Sequence, residues 1–346
     1  MVEKKDDYNN IFKSLLYKNN TDELKKFYID NKEKIDISME DELAFRYSCE
    51  KGNFELVKWL FEIKPNINIS VLSDYSFRVV CCKGYIDIAK WLLQIKPSIN
   101  FENFIFYSTC ENGYLDILKL LFQTNPKINI SIYEEEAFRA SCATGHLHIS
   151  KWLLEIKPEI NISASNEYAF RWACAEGHLD TAKWLLEIKP NINISEYCEY
   201  AFIFACKNGK LDIVSWLLKI KQSIDISINN EAAFVWACIN GHLEIVKLLF
   251  MIKDDWNTNF FKLCINPEII NFVKLSKRKK WINIIIKKND NKLEIKNDNK
   301  LEISCPVCLN NINEYIKTPC NHIFCHDCIT IWVEKKETCP YCRKNI

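Results

Sequence analysis

The sequence predicts a mostly α-helical solenoid of repeated helix–turn–helix units, followed by a small α+β domain that metal ions hold together. Two observations lead to this prediction. From Ser38 onward, a pattern of phenylalanine, glycine and proline recurs every 32 residues, apart from one step of 29. Near the C-terminus, between Cys305 and Cys342, seven cysteines and one histidine fall in four close pairs.

The repeat is marked by one phenylalanine and one glycine in each unit. The phenylalanines are Phe45, Phe77, Phe106, Phe138, Phe170, Phe202 and Phe234. The chain has seven glycines, all at the same place in their units: Gly52, Gly84, Gly113, Gly145, Gly177, Gly209 and Gly241. Glycine adopts a positive φ without steric cost, so each predicts a sharp turn between two helices. This use leaves no glycine for a phosphate-binding loop, which argues against nucleotide binding.

Proline and acidic residues indicate where the helices end and begin. Proline cannot continue a helix, so it ends the second helix of a unit at Pro65, Pro97, Pro126, Pro158 and Pro190. An acidic residue precedes the first helix at Glu42, Asp74, Glu135, Glu167, Glu199 and Glu231. At that position a carboxylate offsets the positive end of the helix dipole.

The repeat resembles the ankyrin repeat. Its period is near 33 residues, and the clearest unit, Glu167 to Pro190, contains the Gly-His turn at Gly177-His178. The family's Thr-Pro-Leu-His opening is replaced by Tyr168-Ala169-Phe170-Arg171. The amino-acid motifs of the units also resemble those of repeats from large DNA viruses of amoebae. The resemblance implies stacked helix pairs that bind another protein.

The boundaries follow from the repeat register. We expect an N-terminal capping half-repeat at residues 1–37, seven ankyrin repeats at 38–254 and a degenerate C-terminal capping repeat at 255–287. Residues 288–303 contain one polar octapeptide twice and are predicted to be a linker. The metal-bound domain is expected at 304–346.

Cysteine placement indicates a reducing compartment. Seven cysteines lie four residues after the marker phenylalanines, at Cys49, Cys81, Cys110, Cys142, Cys174, Cys206 and Cys238, and Cys264 echoes them. A small buried thiol suits that place, and equivalent residues in neighbouring units are about 10 Å apart, too far for a disulfide. Cys82 and Cys198 have no assigned role.

The C-terminal cysteines and histidine have the spacing of zinc ligands. Zinc takes four thiolate or imidazole ligands, so eight ligands imply two ions. Spacing alone leaves open whether adjacent or alternate pairs share an ion. A segment this short buries little apolar surface, so zinc would supply folding energy on the order of 10 kcal/mol per site. His326 is interpreted as a surface residue.

The ligand order resembles the RING finger that has histidine as its fourth ligand. In that family alternate pairs share an ion. The resemblance therefore implies Cys305, Cys308, Cys325 and Cys328 at one zinc, and Cys320, His322, Cys339 and Cys342 at the other. It also implies that Val307, Trp332 and Pro340 contact a ubiquitin-conjugating enzyme, and that Arg343 positions the ubiquitin.

Candidate substrate-binding residues lie in the two positions before each glycine. These pairs vary between units while their neighbours stay fixed, and in the ankyrin family this place faces the concave side. The candidates are Glu50, Lys51, Lys83, Glu111, Asn112, Thr144, Glu176, Lys207, Asn208 and Asn240. The histidines of the repeats are interpreted as turn or surface residues. The arginines Arg46, Arg78, Arg139 and Arg171 either face an acidic partner or bond to neighbouring turns.

These observations predict a RING-type ubiquitin ligase, whose repeats bind a protein substrate and whose finger recruits ubiquitin-charged conjugating enzyme. The alternative is a non-catalytic adaptor or decoy. Lysine and arginine number 46 against 45 acidic residues, so nucleic acid is not an expected partner, although Lys277-Arg278-Lys279-Lys280 is a short basic run. The polar N-terminus and the lack of a run near ~20 apolar residues predict neither a signal peptide nor a membrane partner. We expect an intracellular location, which would be the host cytoplasm if the chain is viral. The nucleus is an alternative.

Overall fold

The computed structural model describes residues 2–99, 103–221, 223–253, 256, 264, 266–276, 294–297, 303–304, 311–312, 314–317 and 322–325. The chain divides into two compact units, Met1–Asn229 and Asn230–Ile346. Both contain the predicted helix–turn–helix repeats, and short strands occur only after them in the described residues. The predicted fold class, a mostly α-helical solenoid followed by a small domain with strands, is confirmed. No described helix is both long and apolar enough to cross a membrane.

Each repeat contributes two helices. The first helices are α3 (Met39–Lys51), α5 (Val71–Cys82), α7 (Asn103–Asn112), α9 (Ile132–Ala143), α11 (Ala164–Glu176), α13 (Glu196–Lys207) and α15 (Ile228–Ile239). The second helices are α4 (Phe54–Ile63), α6 (Ile86–Ile95), α8 (Leu115–Thr124), α10 (Leu147–Ile156), α12 (Leu179–Ile188), α14 (Leu211–Ile220) and α16 (Leu243–Ile252). Two helices precede them, α1 (Val2–Tyr17) and α2 (Thr21–Asn31), with a 3-10 turn at Lys32–Lys34.

The core lies between successive helix pairs. All seven marker phenylalanines are fully or almost fully buried, and so are the seven cysteines one helical turn later. The ring of Phe138 lies 6.3 Å from that of Trp184, which belongs to the next unit, and Phe170 lies 6.3 Å from Trp216 in the same way. Burying one such phenylalanine contributes about 1.5–3 kcal/mol, so the stack is held chiefly by contacts between neighbours.

The glycine turns are confirmed. All seven glycines have a positive φ, from 72° to 90°. At Gly113 there is a second reason for glycine, because a Cβ atom there would lie 2.6 Å from the imidazole of His146 in the next unit. The residue that follows the glycine of one unit therefore packs on the glycine of the preceding unit.

Six units begin their first helix with a left-handed turn that the sequence did not predict. Three consecutive residues have a positive φ in 40–42, 72–74, 133–135, 165–167, 197–199 and 229–231. For L-amino acids this conformation costs roughly 1–2 kcal/mol per residue, so other contacts must stabilise it. The recurring acidic residue is the third member of each turn.

The acidic residue stabilises the turn by hydrogen bonds within and beyond its own unit. Glu42 is 6% exposed, and its carboxylate accepts bonds from Ser38 Oγ at 3.0 Å, Lys64 Nζ at 2.7 Å and the backbone N–H of Asn68 at 3.3 Å. The pattern recurs at Glu199, which accepts from Ser195 Oγ at 2.5 Å and from the N–H of Asp225 at 3.4 Å. The carboxylate thus ties its turn to the loop that follows the second helix.

The arginines complete the turn from the other side. Arg139 donates from Nε to the carbonyl of Glu134 at 2.7 Å and from Nη2 to that of Tyr133 at 2.7 Å. Arg46 and Arg171 make the same pair of bonds, and Arg78 makes one of them. Of the two interpretations left open by the sequence, the structure supports internal bonds, each to the arginine's own turn.

The third unit differs from the others in the described start of its first helix. Its first helix, α7, begins three residues before the marker Phe106, whereas α5 begins six residues before Phe77. No residue of α7 has a positive φ. In the sequence, the three residues fewer fall between Pro97 and Phe106, in the stretch where the other units have the left-handed turn.

The N-terminal segment differs from the predicted half-repeat. It forms the two helices α1 and α2, with Asn19 in the left-handed conformation between them at φ 56°. Asparagine tolerates this conformation better than most residues, so a turn can form without the glycine that marks the others. Asn20 then caps α2 by accepting a bond from the N–H of Glu23 at 3.2 Å.

After α16, the described residues continue the repeat packing. The ring of Trp256 stacks on that of Phe234 at 4.4 Å, and Cys264 donates to the carbonyl of Cys238 at 3.1 Å. Residues 267–276 are helical, and Ile269 and Val273 are fully buried. The extent of the predicted capping repeat, 255–287, stays a prediction.

Candidate functional site

The described residues of the predicted linker and finger contain five short strands. They are β1 (Glu294–Asn297), β2 (Ile303–Ser304), β3 (Asn311–Ile312), β4 (Glu314–Lys317) and β5 (Ile323–Cys325). β4 pairs antiparallel with both β1 and β5, and β2 pairs antiparallel with β3. The described strands thus form two small antiparallel sheets.

Two of the eight predicted zinc ligands lie in the described part of the finger. His322 directly precedes β5, and Cys325 is its last residue, paired with Tyr315 of β4. Phe324 between them is fully buried, so the strand alternation places Cys325 on the opposite face from Phe324. An imidazole and a thiolate, the donors that zinc prefers, therefore stand at the two ends of one strand.

The other predicted finger residues lie outside the described residues. These are the ligands Cys305, Cys308, Cys320, Cys328, Cys339 and Cys342, the contact residues Val307, Trp332 and Pro340, and Arg343. Their pairing and roles stay predictions from the family resemblance.

The predicted linker, 288–303, contributes a strand. Glu294 to Asn297 form β1, in register with Lys317 to Glu314 of β4. The physical reason is visible in the octapeptide, where apolar Leu293 and Ile295 alternate with charged residues, as in a strand with one buried face. This part of the linker therefore belongs to the sheet of the finger.

In the repeats, the candidate substrate-binding residues lie at the ends of the first helices, beside the glycine turns. We call these positions the pre-glycine pairs. Lys51, Lys83, Glu111, Asn112, Glu176 and Asn240 are exposed, and Glu50, Thr144, Lys207 and Asn208 are half-buried. The sequence thus selected residues at the surface, along one edge of the first helices.

Several pre-glycine residues also bond to the preceding unit. Lys83 donates to the carbonyl of Glu50 at 3.0 Å, and Asn208 donates to the carbonyl of Ala175 at 3.0 Å. Asn112 donates to the carbonyl of Cys82 at 3.2 Å. Because these bonds satisfy helix-end carbonyls, part of the variation between units serves the stacking and not a partner.

Other pre-glycine residues contact their own helix. Thr144 donates to the carbonyl of Ala140 at 2.9 Å, while Lys51 and Lys207 lie over the rings of Tyr47 and Phe204 at 5.1 Å and 5.0 Å.

The histidines after the glycines pack between units. His146 Nε2 lies 3.1 Å from the carbonyl oxygen of Glu111, and its ring covers Gly113. Burial is the largest cause that lowers the pKa of His146, and burial likewise lowers the pKa of His178. These residues serve the turns, as the sequence indicated.

We expect the repeats to lose stability as the pH falls below about 6.5, the ordinary pKa of histidine. In that range the unfolded chain binds protons that the folded chain, with lowered pKa values at His146 and His178, does not bind, so protons favour unfolding. Urea denaturation at about pH 5.5 and 7.5 should show the difference. Tyrosine stands at the same place in Tyr85 and Tyr114, so the variant His146→Tyr/His178→Tyr is a matched control with a smaller pH dependence. An equal slope in wild type and variant would contradict this origin.

Aromatic residues beside the arginines were not selected from the sequence. Arg171 lies over the rings of Tyr197 at 4.6 Å and Tyr200 at 4.9 Å, and Tyr200 stacks on Phe204 at 4.0 Å. One feature of the sequence could have identified Tyr200 and Phe204: the positions two residues before and after the marker phenylalanine differ between units. Arg171 places a positive charge against these rings, and the arginine and the rings contact one another.

Known protein families match both the repeats and the C-terminal region of the chain. A model described as "Ring finger domain" matches residues 303–343, and two models of ankyrin repeats match residues 170–218 and 195–259. The E3 ubiquitin-protein ligase RNF126 of Xenopus tropicalis is 45% identical over 47 residues, which are 13% of this chain and 15% of that protein. The E3 ubiquitin-protein ligase ICP0 of Equine herpesvirus 1 is 45% identical over 40 residues, 11% of this chain and 8% of that protein.

The chain therefore spans less than a fifth of the length of these curated relatives. A crystal structure of the human ASB11 ankyrin repeat domain is 14% identical, with a TM-score of 0.43, over 59% of this chain and 96% of that chain. The chain contains ankyrin repeats followed by a C-terminal RING finger, a domain that implies zinc binding. The resemblance to amoebal viruses stays a prediction, since ICP0 is a herpesvirus protein.

Proposed function

We propose that this protein is a RING-type ubiquitin ligase, in which the ankyrin repeats bind a protein substrate and the finger recruits a ubiquitin-charged conjugating enzyme. The observation that carries the proposal is the finger itself. Residues 303–343 match the Ring finger domain, and 47 residues are 45% identical to the ligase RNF126. The repeats supply a second surface, which such an enzyme needs for its substrate.

Two zinc ions would hold the finger in shape and take no part in the transfer. The donor set fits them, because it consists of thiolates and one imidazole, with His322 and Cys325 placed at the ends of β5. Alternate pairing assigns Cys305, Cys308, Cys325 and Cys328 to one ion and Cys320, His322, Cys339 and Cys342 to the other.

The residues of the finger act by positioning. Val307, Trp332 and Pro340 form the surface that contacts the conjugating enzyme, in line with the family resemblance. The planar fork of Arg343 donates to carbonyls of both the enzyme and ubiquitin, which holds the thioester where a substrate lysine can attack. No residue of this chain becomes acylated.

The repeats raise the local concentration of substrate lysines near the thioester. Lys51, Glu111 and Glu176 are exposed, and their side chains make none of the inter-unit hydrogen bonds described above, so they are the first candidates for substrate contact. The place of action that goes with this function is an intracellular, reducing compartment. Burial raises the pKa of Cys142 to about 12 and keeps this thiol unreactive.

An autoubiquitination assay tests the proposal. Full-length protein with two bound zinc ions, activating enzyme, ubiquitin and a broad panel of conjugating enzymes should give ubiquitinated chain with at least one enzyme of the panel. A chelator that removes zinc should abolish the activity. Zinc-loaded, folded protein that is inactive with the whole panel would contradict the proposal and favour an adaptor or decoy.

A further inference from the structure

A cleft lies between α7 and α9, beside the unit that is three residues shorter than the others. In other neighbouring units, a left-handed turn stands beside the turn that follows it, as Ser165 shows by donating to the carboxylate of Glu134 at 2.5 Å. Beside the turn at 133–135, the third unit has three residues fewer. A cleft of about 680 Å³ lies there, lined by Asn103, Phe104, Tyr107, Ile132, Tyr133 and Glu136.

The cleft exposes large aromatic side chains. Phe104 is 61% exposed and Tyr133 is 71% exposed, and the ring of Tyr107 lies 6.5 Å from that of Phe104. Exposed aromatic groups that line a concavity are typical of a binding surface, because neither the core nor the turn gains from their exposure.

The charged groups at this cleft are acidic. Glu136 lines it, and Glu111 lies one helical turn after Tyr107 on α7. Burial raises the pKa of Tyr107, and the negative charges of Glu111 and Glu136 raise it further. The nearest arginine of α9, Arg139, is committed to the carbonyls of Glu134 and Tyr133 and to the ring of Tyr168 at 4.8 Å.

Aromatic rings beside carboxylates favour one kind of occupant. A lysine or arginine side chain buries its aliphatic stem on apolar surface, its charge is attracted to ring faces, and its head pairs with a carboxylate. We propose that the cleft binds a partner protein through a lysine or arginine that stands next to a large apolar residue. The proposal rests on the proposed function, for which it names the class of substrate segment.

The aromatic rings around Arg171 do not offer the same chemistry. There Arg171 already covers the rings of Tyr197 and Tyr200, so a second cation would meet a like charge. Tyr197 holds the same place in its turn as Tyr133 and is 56% exposed, so it serves as the matched control.

Selection from a phage-displayed library of random 12-residue peptides, with the full-length chain as bait, tests the inference. We expect selected peptides to carry lysine or arginine beside a large apolar residue. Their affinity, measured by fluorescence anisotropy, should fall at least tenfold for Phe104→Ser/Tyr133→Asn and for Glu136→Gln. Asparagine occupies the place of Tyr133 in Asn229, so the substitution suits the backbone.

Two further variants make the result specific. Tyr197→Asn should leave binding unchanged. Replacing residues 100–103 by the sequence of residues 68–74 restores the period of 32 and should fill the cleft and remove binding. Recovery of no peptide, of acidic peptides, or of peptides that bind the cleft variants as tightly as wild type would overturn the inference.

The experiment separates this inference from the ligase proposal, because it measures binding alone. Trp332→Ala should bind the selected peptides as wild type does. If peptides bind the cleft but the chain has no ligase activity, only the proposed function fails. If the chain ubiquitinates itself but selects no basic peptide, only the cleft inference fails.

Discussion

Trp332→Ala and Arg343→Ala should each reduce ubiquitin transfer by about 100-fold, through different steps. Loss of the tryptophan removes the aromatic contact that docks the conjugating enzyme, so both binding and transfer should fall. Loss of the arginine removes the group that orients the thioester, and misplacement of a reacting group costs on the order of 10² in rate. Single-turnover discharge of ubiquitin to free lysine measures the transfer, and calorimetry with the conjugating enzyme measures the binding.

The expected split is the informative part of this experiment. Arg343→Ala should retain affinity for the uncharged conjugating enzyme, whereas Trp332→Ala should not. Lys344 carries a similar charge at the next position, so Lys344→Ala is the matched control and should stay close to wild type. Full activity in either Trp332→Ala or Arg343→Ala would show that the finger does not act as the family resemblance implies.

Gly113→Ala should destabilise the repeats by about 2–4 kcal/mol, a large effect for one added methyl group. Alanine is strained at the φ of 86°, and its Cβ atom would lie 2.6 Å from the His146 ring. Urea denaturation followed by circular dichroism measures the loss. The double variant Gly113→Ala/His146→Ala should recover the part that is due to the clash.

Gly241 provides the comparison. Its φ is 82°, but among the described residues a Cβ atom there would meet only the Asn266 side chain, at 3.6 Å. Gly241→Ala should therefore cost about 1 kcal/mol, from the backbone alone. Equal losses at the two glycines would mean that packing of His146 on Gly113 does not require glycine.

Much of the fold could be predicted from the sequence because repetition makes each position visible seven times. Phe170, Cys174 and Gly177 recur at fixed spacing, and their burial or positive φ follows from simple rules on size and conformation. The left-handed turn escaped prediction because its residues, such as Tyr133 and Glu134, have no preference for positive φ. Their conformation depends on hydrogen bonds from an arginine and to a carboxylate, which sequence spacing does not reveal.

The candidate sites show the same division. The zinc ligands stay a prediction, which rests on the spacing of residues such as Cys320, His322 and Cys325. The strand β1 was not predicted, since the polar repeat that contains it is typical of a linker and gains its partner only from β4. Beside the cleft at Tyr133 the sequence shows only a three-residue shortening, and a change in length does not reveal which side chains line a cavity.

Elemental analysis of the purified, folded chain is the most direct test of the proposed ligase, because every step at the finger depends on the metal-held shape. Eight ligands in alternate pairs predict two zinc ions per chain, and loss of both together with ligase activity when a chelator is added. Fewer than two zinc ions in protein that is folded and active would contradict the assignment of Cys305 to Cys342 as a two-zinc finger.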